Sequence, residues 1–268
     1  PVFHDDQHGT AIISLAGLKN YLRLTGKDIA AIRIVIAAAG AAGIRIAELF
    51  KSAGATDVML CDSRGVIHDG RDNLTAQKKS LAVCTECRTL GDAMKGADVF
   101  IGVSQPGIVS PSMVASMADD PAIFAMSNPI PEIMPEEVAD TLPDACIATG
   151  RSDYPNQINN VLGFPFIFRG ALDVRATDIT MNMKLACSDA LAELARDEVP
   201  AYIRDAYGGI DLSFGRDYLI PKPFDRRVFV RASAAVAEAA MSDGVARVTV
   251  DIDEYRESLR AKSGEILS

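Results

Sequence analysis

Cysteine, histidine and positive charge are all scarce in this chain, and long apolar runs are missing. Five cysteines are scattered at Cys61, Cys84, Cys87, Cys146 and Cys187. So sparse and odd a set argues against a disulfide framework and fits a reducing, cytoplasmic compartment. Cys84-Thr-Glu-Cys87 has the spacing of a zinc or redox pair, but a zinc knuckle needs a second pair or nearby histidines. The three histidines, His4, His8 and His68, are not close to it in sequence. Two buried or half-buried thiols are the expectation. Lysine and arginine total 27 against 36 aspartates and glutamates, a formal net charge of −9. A phosphate backbone needs a basic counter-surface, so nucleic acid is not an expected partner. No stretch reaches the ~18 apolar residues that a spanning helix needs. The weakly charged region 99–118 is broken by Pro106, Gly107 and Pro111. No secretory signal is visible, and no membrane partner is expected.

What is present is a globular composition. The 268 residues are 49% hydrophobic and 24% charged, enough for one large core or two smaller ones. Residues 8–24 carry apolar residues at helical spacing, closed by Gly26. Ile32 to Ala37 reads as a buried strand, Ala41 to Ala53 as a helix and Asp57 to Asp62 as the next strand. That succession is a βαβ unit. The pattern repeats more loosely, with strands at Ala97 to Val103, Ile123 to Met126 and Ala145 to Ala148. Near-continuous apolar strands mark a parallel sheet covered on both faces. The expected class is therefore α/β, a Rossmann-like, doubly wound, mostly parallel sheet.

Three segments are anticipated. Residues 1–24 form a helical segment, residues 25–170 the dinucleotide-binding domain, and residues 171–268 a mostly helical segment that packs back on the first helix. Long helices are predicted at Asp178 to Arg196 and Val228 to Met241, a short strand at Arg247 to Val250, and a helical tail from Asp253.

The turn Ala38-Ala39-Gly40-Ala41-Ala42-Gly43 sits between the first strand and its helix. It matches the dinucleotide fingerprint G-x-G-x-x-G at its second and third glycines, with Ala38 in place of the first. Asp62 ends the next strand 22 residues after Gly40, near the ~20 expected for a carboxylate on the ribose hydroxyls. Asp62 favours a free 2′-hydroxyl, whereas Arg64 suits a 2′-phosphate and Ser63 suits either. The choice between NAD and NADP stays open, with a tilt to NAD. Ala39, Gly40, Ala41, Ala42, Gly43, Asp62, Ser63, Arg64 and Ser104 are the candidate cofactor-binding residues, joined below by Asn128 and Asn160.

A second dense motif is Phe3-His4-Asp5-Asp6-Gln7-His8-Gly9-Thr10. Paired carboxylates with histidines at i and i+4 suit a metal site. An N-cap for the following helix explains Asp5 or Asp6 equally well. The chain begins at Pro1, so this motif stands at a chain end, where backbone is poorly held. Further sequence upstream is expected on that ground.

Several segments, in order, resemble those of bacterial malic enzymes. FHDDQHGTA is similar to their metal-binding signature, and Ala39-Gly40-Ala41-Ala42-Gly43 to their GAGAAG turn. Met126 to Glu132 resembles their NP-x-PE loop, and Ala148 to Asn160 their ATGRSD-x-PNQ-x-NN segment. Phe164 to Gly170 and Ile220 to Asp225 also resemble family segments. The resemblance implies Asp6 as a ligand of Mg2+ or Mn2+ with Asp5 beside it. It implies Asn128, Asn159 and Asn160 at the substrate L-malate, Asn128 and Asn160 also at the nicotinamide, and a homodimer. It implies oxidative decarboxylation of malate to pyruvate with NAD(P). The family's general-acid tyrosine and general-base lysine lie upstream of such a motif, so no catalytic residue is assigned here. Cofactor binding without turnover is therefore expected of the chain alone. A malolactic enzyme and a non-catalytic dinucleotide-binding module are the alternatives. Tyr154, Lys222 and, at the chain end, His4 and His8 are the stand-ins for the proton-transfer groups, Tyr154 being the favoured acid.

Overall fold

Short unbroken apolar runs decide the architecture. The computed structural model describes residues 2–266. After the long helix α1 (Asp5–Thr25), strand β1 (Arg33–Ala37), helix α2 (Ala41–Ser52) and strand β2 (Asp57–Asp62) follow as predicted to within a residue or two. A two-residue strand β3 (Gly65–Val66) turns back antiparallel on β2. Short helices α3 (Ala76–Ser80) and α4 (Leu90–Met94) lead to β4 (Val99–Gly102). Then come α5 (Pro111–Ala115), β5 (Ala122–Ala125), α6 (Pro135–Thr141) and β6 (Cys146–Thr149).

The sheet order is β3-β2-β1-β4-β5-β6, parallel throughout except at β3. Every residue of β4 and β5 is buried, as a sheet covered on both faces requires. Each Val, Ile or Phe so buried is worth about 1.5–3 kcal/mol. Because β1 pairs with β2 on one side and β4 on the other, the chain reverses direction across the sheet beside β1. That reversal opens a crevice at the carboxyl ends of the strands. This is a Rossmann-like α/β fold.

The chain divides into two compact units, residues 21–158 and residues 1–20 with 159–268. The first holds the whole sheet. The second is helical: most of α1, a 3₁₀ turn (Asn160–Leu162), α7 (Phe164–Asp173), α8 (Met181–Leu194), α9 (Ala201–Ala206), α10 (Arg227–Ser242) and α11 (Ile252–Ile266). Small residues let these helices approach closely. A Cβ on Gly170 of α7 would lie 2.4 Å from the Ser233 carbonyl oxygen of α10. The buried Asn20 side chain of α1 donates to the carbonyls of Ala192, at 2.9 Å, and Leu219, at 2.7 Å.

Two expectations fail. Residues 247–250 form no strand; the Arg247 and Val248 amides instead share the Val174 carbonyl just past α7. Lone apolar residues cannot make a strand without a neighbouring edge to pair with. Cys84 is exposed rather than buried, while Cys87 is half-buried, and both are free thiols. No helix among the described residues is long and apolar enough to cross a membrane.

Candidate cofactor cleft

The fingerprint turn is explained by two distances. A Cβ on Gly43 would stand 1.8 Å from the Ala38 carbonyl oxygen, so only glycine lets α2 start this close to the strand. A Cβ on Gly40 would meet nothing within 4 Å. Gly40 therefore leaves open space at the helix N-terminus, where backbone N–H groups and the helix dipole favour an anion. Ala38 is close to fully extended at φ 159, a conformation that tolerates its methyl group.

A cleft of about 420 Å³ lies at the strand ends, lined by Ala37, Asp62, Ser63, Arg64, Arg88 and Ser104, among others. Four predicted residues thus share one cleft, and Ala37, which leads into the turn, lines it too. Cys61 also lines it. Burial, with help from Asp62, pushes its thiol up to about 12, which makes it a poor nucleophile at neutral pH.

Asp62 is less available than its position suggests. Its Oδ1 accepts from Arg71 Nη1 at 2.9 Å and from the Arg64 amide at 2.9 Å. Its Oδ2 accepts from Arg71 Nη2 at 3.1 Å and Lys78 Nζ at 2.9 Å. Partial burial works to raise its pKa, but these hydrogen bonds and the Lys78 charge outweigh it and hold the carboxyl well below the usual carboxylate range. Arg71 and Lys78 are functional neighbours that sequence reasoning missed. No periodicity connects them to Asp62.

Glu132 is the other missed residue. It is fully buried, with one oxygen accepting the Ser104 amide at 2.8 Å and the other the Ser127 amide at 3.1 Å. It ties the loop after β4 to the loop after β5. Gly102 makes room for it, since a Cβ there would lie 2.3 Å from the Glu132 Cδ. Burial raises the Glu132 pKa, opposed by the two amide bonds. Asn128, one residue past Ser127, is exposed and precedes a cis proline bond. Gly150 clears its amide: a Cβ there would approach Asn128 Nδ2 to 2.6 Å.

In the helical unit, Asp5 and Asp6 fill the first turn of α1, which begins from the His4 carbonyl. Asp5 turns inward and accepts from the Asn160 side chain, while its other oxygen is buried without a partner. Burial and the neighbouring Asp6 charge raise its pKa, opposed by the Asn160 bond. Gly9 makes room for this pair, as a Cβ there would lie 2.2 Å from Asp5 Oδ1. The Asp6 side chain is 85% exposed, 3.9 Å from His4 Nδ1. Asn159 uses its side-chain oxygen to accept the Val161 amide and so caps the 3₁₀ turn. Tyr154 donates its hydroxyl to Glu136 at 2.9 Å. Lys222 is buried, which pushes its pKa down, and lies 5.1 Å from the Tyr207 ring centroid.

A family model described as "Malic enzyme, NAD binding domain" matches residues 7–204. An NADP-dependent malic enzyme of Halomonas elongata is 53% identical over 92% of this chain and 59% of its own length. An NADP-dependent malic enzyme of Rhizobium meliloti is 53% identical over the whole chain, which spans 36% of that relative. The crystal structure of a malic enzyme from Pyrococcus horikoshii superposes with a TM-score of 0.87 at 37% identity, covering 99% of this chain and 60% of that one. The chain thus spans between about a third and three-fifths of the length of these proteins. On the family match and the shared identity, the chain belongs to the malic enzyme family and comprises its NAD-binding domain.

Proposed function

We propose that this chain is the dinucleotide-binding part of an enzyme that oxidises L-malate and releases pyruvate and carbon dioxide, with NADP as its cofactor. The observation that carries the cofactor choice is the engagement of Asp62. A carboxylate that recognises a ribose diol needs an oxygen aimed at the ligand. Both Asp62 oxygens already serve Arg71, with Lys78 and the Arg64 amide beside it. Two cations on one carboxylate leave a positive balance, to which Arg64 and Arg88 in the cleft lining add. That balance suits a 2′-phosphate, which arginine recognises well.

The parts played by this chain follow. The amides of Gly40, Ala41 and Ala42 receive the pyrophosphate, with Ala39 and Gly43 framing the turn. When bound, the nicotinamide supplies the hydride acceptor. Glu132 holds the Ser104 and Ser127 loops, and with them Asn128, in fixed relation. The Asn128 and Asn160 amides can each donate to a carboxylate and accept from a hydroxyl, as malate requires. Asn159 contributes by fixing the turn that presents Asn160.

A divalent cation belongs to the family resemblance. Asp5 and Asp6 suit such an ion in kind but not in number. Among the described residues no three His, Cys, Asp or Glu side chains gather as a metal site. No step is therefore routed through a metal here, and Asp6 is assigned one carboxylate of a shell that needs further donors.

Calorimetry with NADP and with NAD tests the cofactor reading. NADP is expected to bind at least about tenfold more tightly, ~1.4 kcal/mol. Arg64→Gln should remove most of that advantage and leave NAD binding as it was. Equal affinities for the two dinucleotides would refute the choice. For Asp6, the product of the complete gene is the proper material. Asp6→Asn there is expected to raise the manganese concentration needed for half-maximal malate-dependent NADP reduction by about tenfold or more, and to weaken manganese binding seen by electron paramagnetic resonance. Unchanged metal dependence in both measurements would remove Asp6 from the site.

A further inference from the structure

The chain is acidic overall, yet one cleft gathers its arginines. Arg227, Val230 and Arg231 follow one another on α10 at i, i+3 and i+4, with Arg226 at its start; Arg256, Arg260 and Ser263 follow at i, i+4 and i+7 on α11. Such spacings put each set on one helical face. The two faces line a cleft of about 640 Å³ with five guanidinium groups and no carboxylate in the lining.

The acidic partners of these arginines stand outside the lining. Arg231 donates to Asp197, Arg256 to Asp253, and Arg260 to Glu257. Arg227 grips the buried Asp225 and the Glu198 carbonyl, and Arg226 lies 5.5 Å from the Tyr202 ring centroid. A guanidinium has five N–H donors in a fixed fork. Each of Arg231, Arg256 and Arg260 thus spends part of its fork on a carboxylate that steadies it; Arg256 also lies 3.6 Å from Glu238, and Arg231 and Arg256 line a neighbouring cleft with Asp189, Glu193 and Glu238 as well. Side chains steadied in this way bind with less loss of freedom than mobile ones. The partner carboxylates also set a threshold. A lone carboxylate ligand would be no better than the groups already in place. An anion of higher charge density, with several acceptor oxygens, would be better. The cleft volume is that of a small-molecule site rather than of a flat protein contact.

We propose that this cleft is a binding site for a small anion carrying a diphosphate group. It lies on helices of the unit formed by residues 1–20 and 159–268, and the proposal does not depend on the reading of the cofactor cleft.

Calorimetric titration of the chain with inorganic pyrophosphate tests it. The expected dissociation constant is below about 1 mM. Arg231 and Arg260 are 49% and 59% exposed as side chains, so their replacement spares the core. Arg231→Gln with Arg260→Gln is expected to weaken pyrophosphate binding by about tenfold or more. Arg231→Lys with Arg260→Lys keeps the charge but loses the fork, and is expected to weaken it as well. Arg227 is left alone, because its loss would strand a buried carboxylate. No heat at ~10 mM pyrophosphate overturns the proposal. So does unchanged affinity in both double variants, which would place the pyrophosphate in the cofactor cleft instead. Citrate binding as tightly as pyrophosphate would overturn the assignment of a diphosphate.

Discussion

Replacing Gly43 with alanine is expected to cost about 3 kcal/mol or more of folding stability, and to abolish dinucleotide binding with it. The added methyl would sit 1.8 Å from a backbone carbonyl oxygen, which has no rotamer to retreat into. The first turn of α2 must then move off the strand, an overpacking penalty at the upper end of those met in protein interiors. Gly40→Ala is the informative partner. Its methyl meets nothing within 4 Å, so stability should change by less than about 1 kcal/mol. The same methyl projects where the pyrophosphate approaches, and NADP affinity should fall by about tenfold or more. Urea denaturation and calorimetry on the two variants separate the roles. Equal stability loss in both would show that the turn is held by something other than this contact.

Glu132→Leu is expected to lower stability by about 2–4 kcal/mol at acid pH. The buried Ser127 amide and the part-buried Ser104 amide lose their acceptor at once. The loss should narrow as pH rises, and the sign follows from the raised pKa of the carboxyl. A group whose pKa is higher in the folded state than in the unfolded one stabilises most fully below its unfolded value. That contribution disappears as pH climbs through the folded value, because the ionised form is the one burial penalises. Wild type and variant should therefore differ most near about pH 4 and less near pH 7 in denaturant titrations. A gap that widens with pH would mean that the ionised carboxylate is the better-solvated form in the fold. NADP binding should also weaken, since Ser104 and Asn128 stand on the loops that Glu132 joins. Unaltered affinity would detach those loops from the cofactor.

Much of the architecture could be read from local pattern alone. Strands β1, β2, β4, β5 and β6 are apolar runs with turn residues at their ends, and α2, α8 and α10 carry their boundaries in Gly, Thr and alanine-rich periodicity. The short elements β3, α3 and α9 were not legible. Gly65-Val66 becomes a strand only because β2 offers it an edge. The site divides in the same way. The spacing of Gly40, Gly43 and Asp62 is local and was visible. The pairing of Asp62 with Lys78, and the use of Glu132 as a double acceptor, are long-range facts with no signature in spacing. The cost is plain at Asp62. Read by itself it tilts the choice toward NAD, and its two cationic partners carry the proposal of NADP. The contact of Asp5 with Asn160, a residue 155 positions away, is equally invisible to spacing.

The helical unit is made of two separated stretches, and this sets an order of events at the ribosome. Asn20 emerges well before its acceptor at Ala192, which lies 172 residues later. At ~5–20 residues per second, translation takes roughly 10–30 s to deliver it. The nascent α1 must wait through that interval with Ile12, Ile13, Leu15 and Leu18 uncovered, residues that are wholly buried in the finished fold. The α/β unit, residues 21–158, is contiguous and can close during the delay. A translational pause after residue 158 would lengthen the wait of this apolar helix without hindering the sheet.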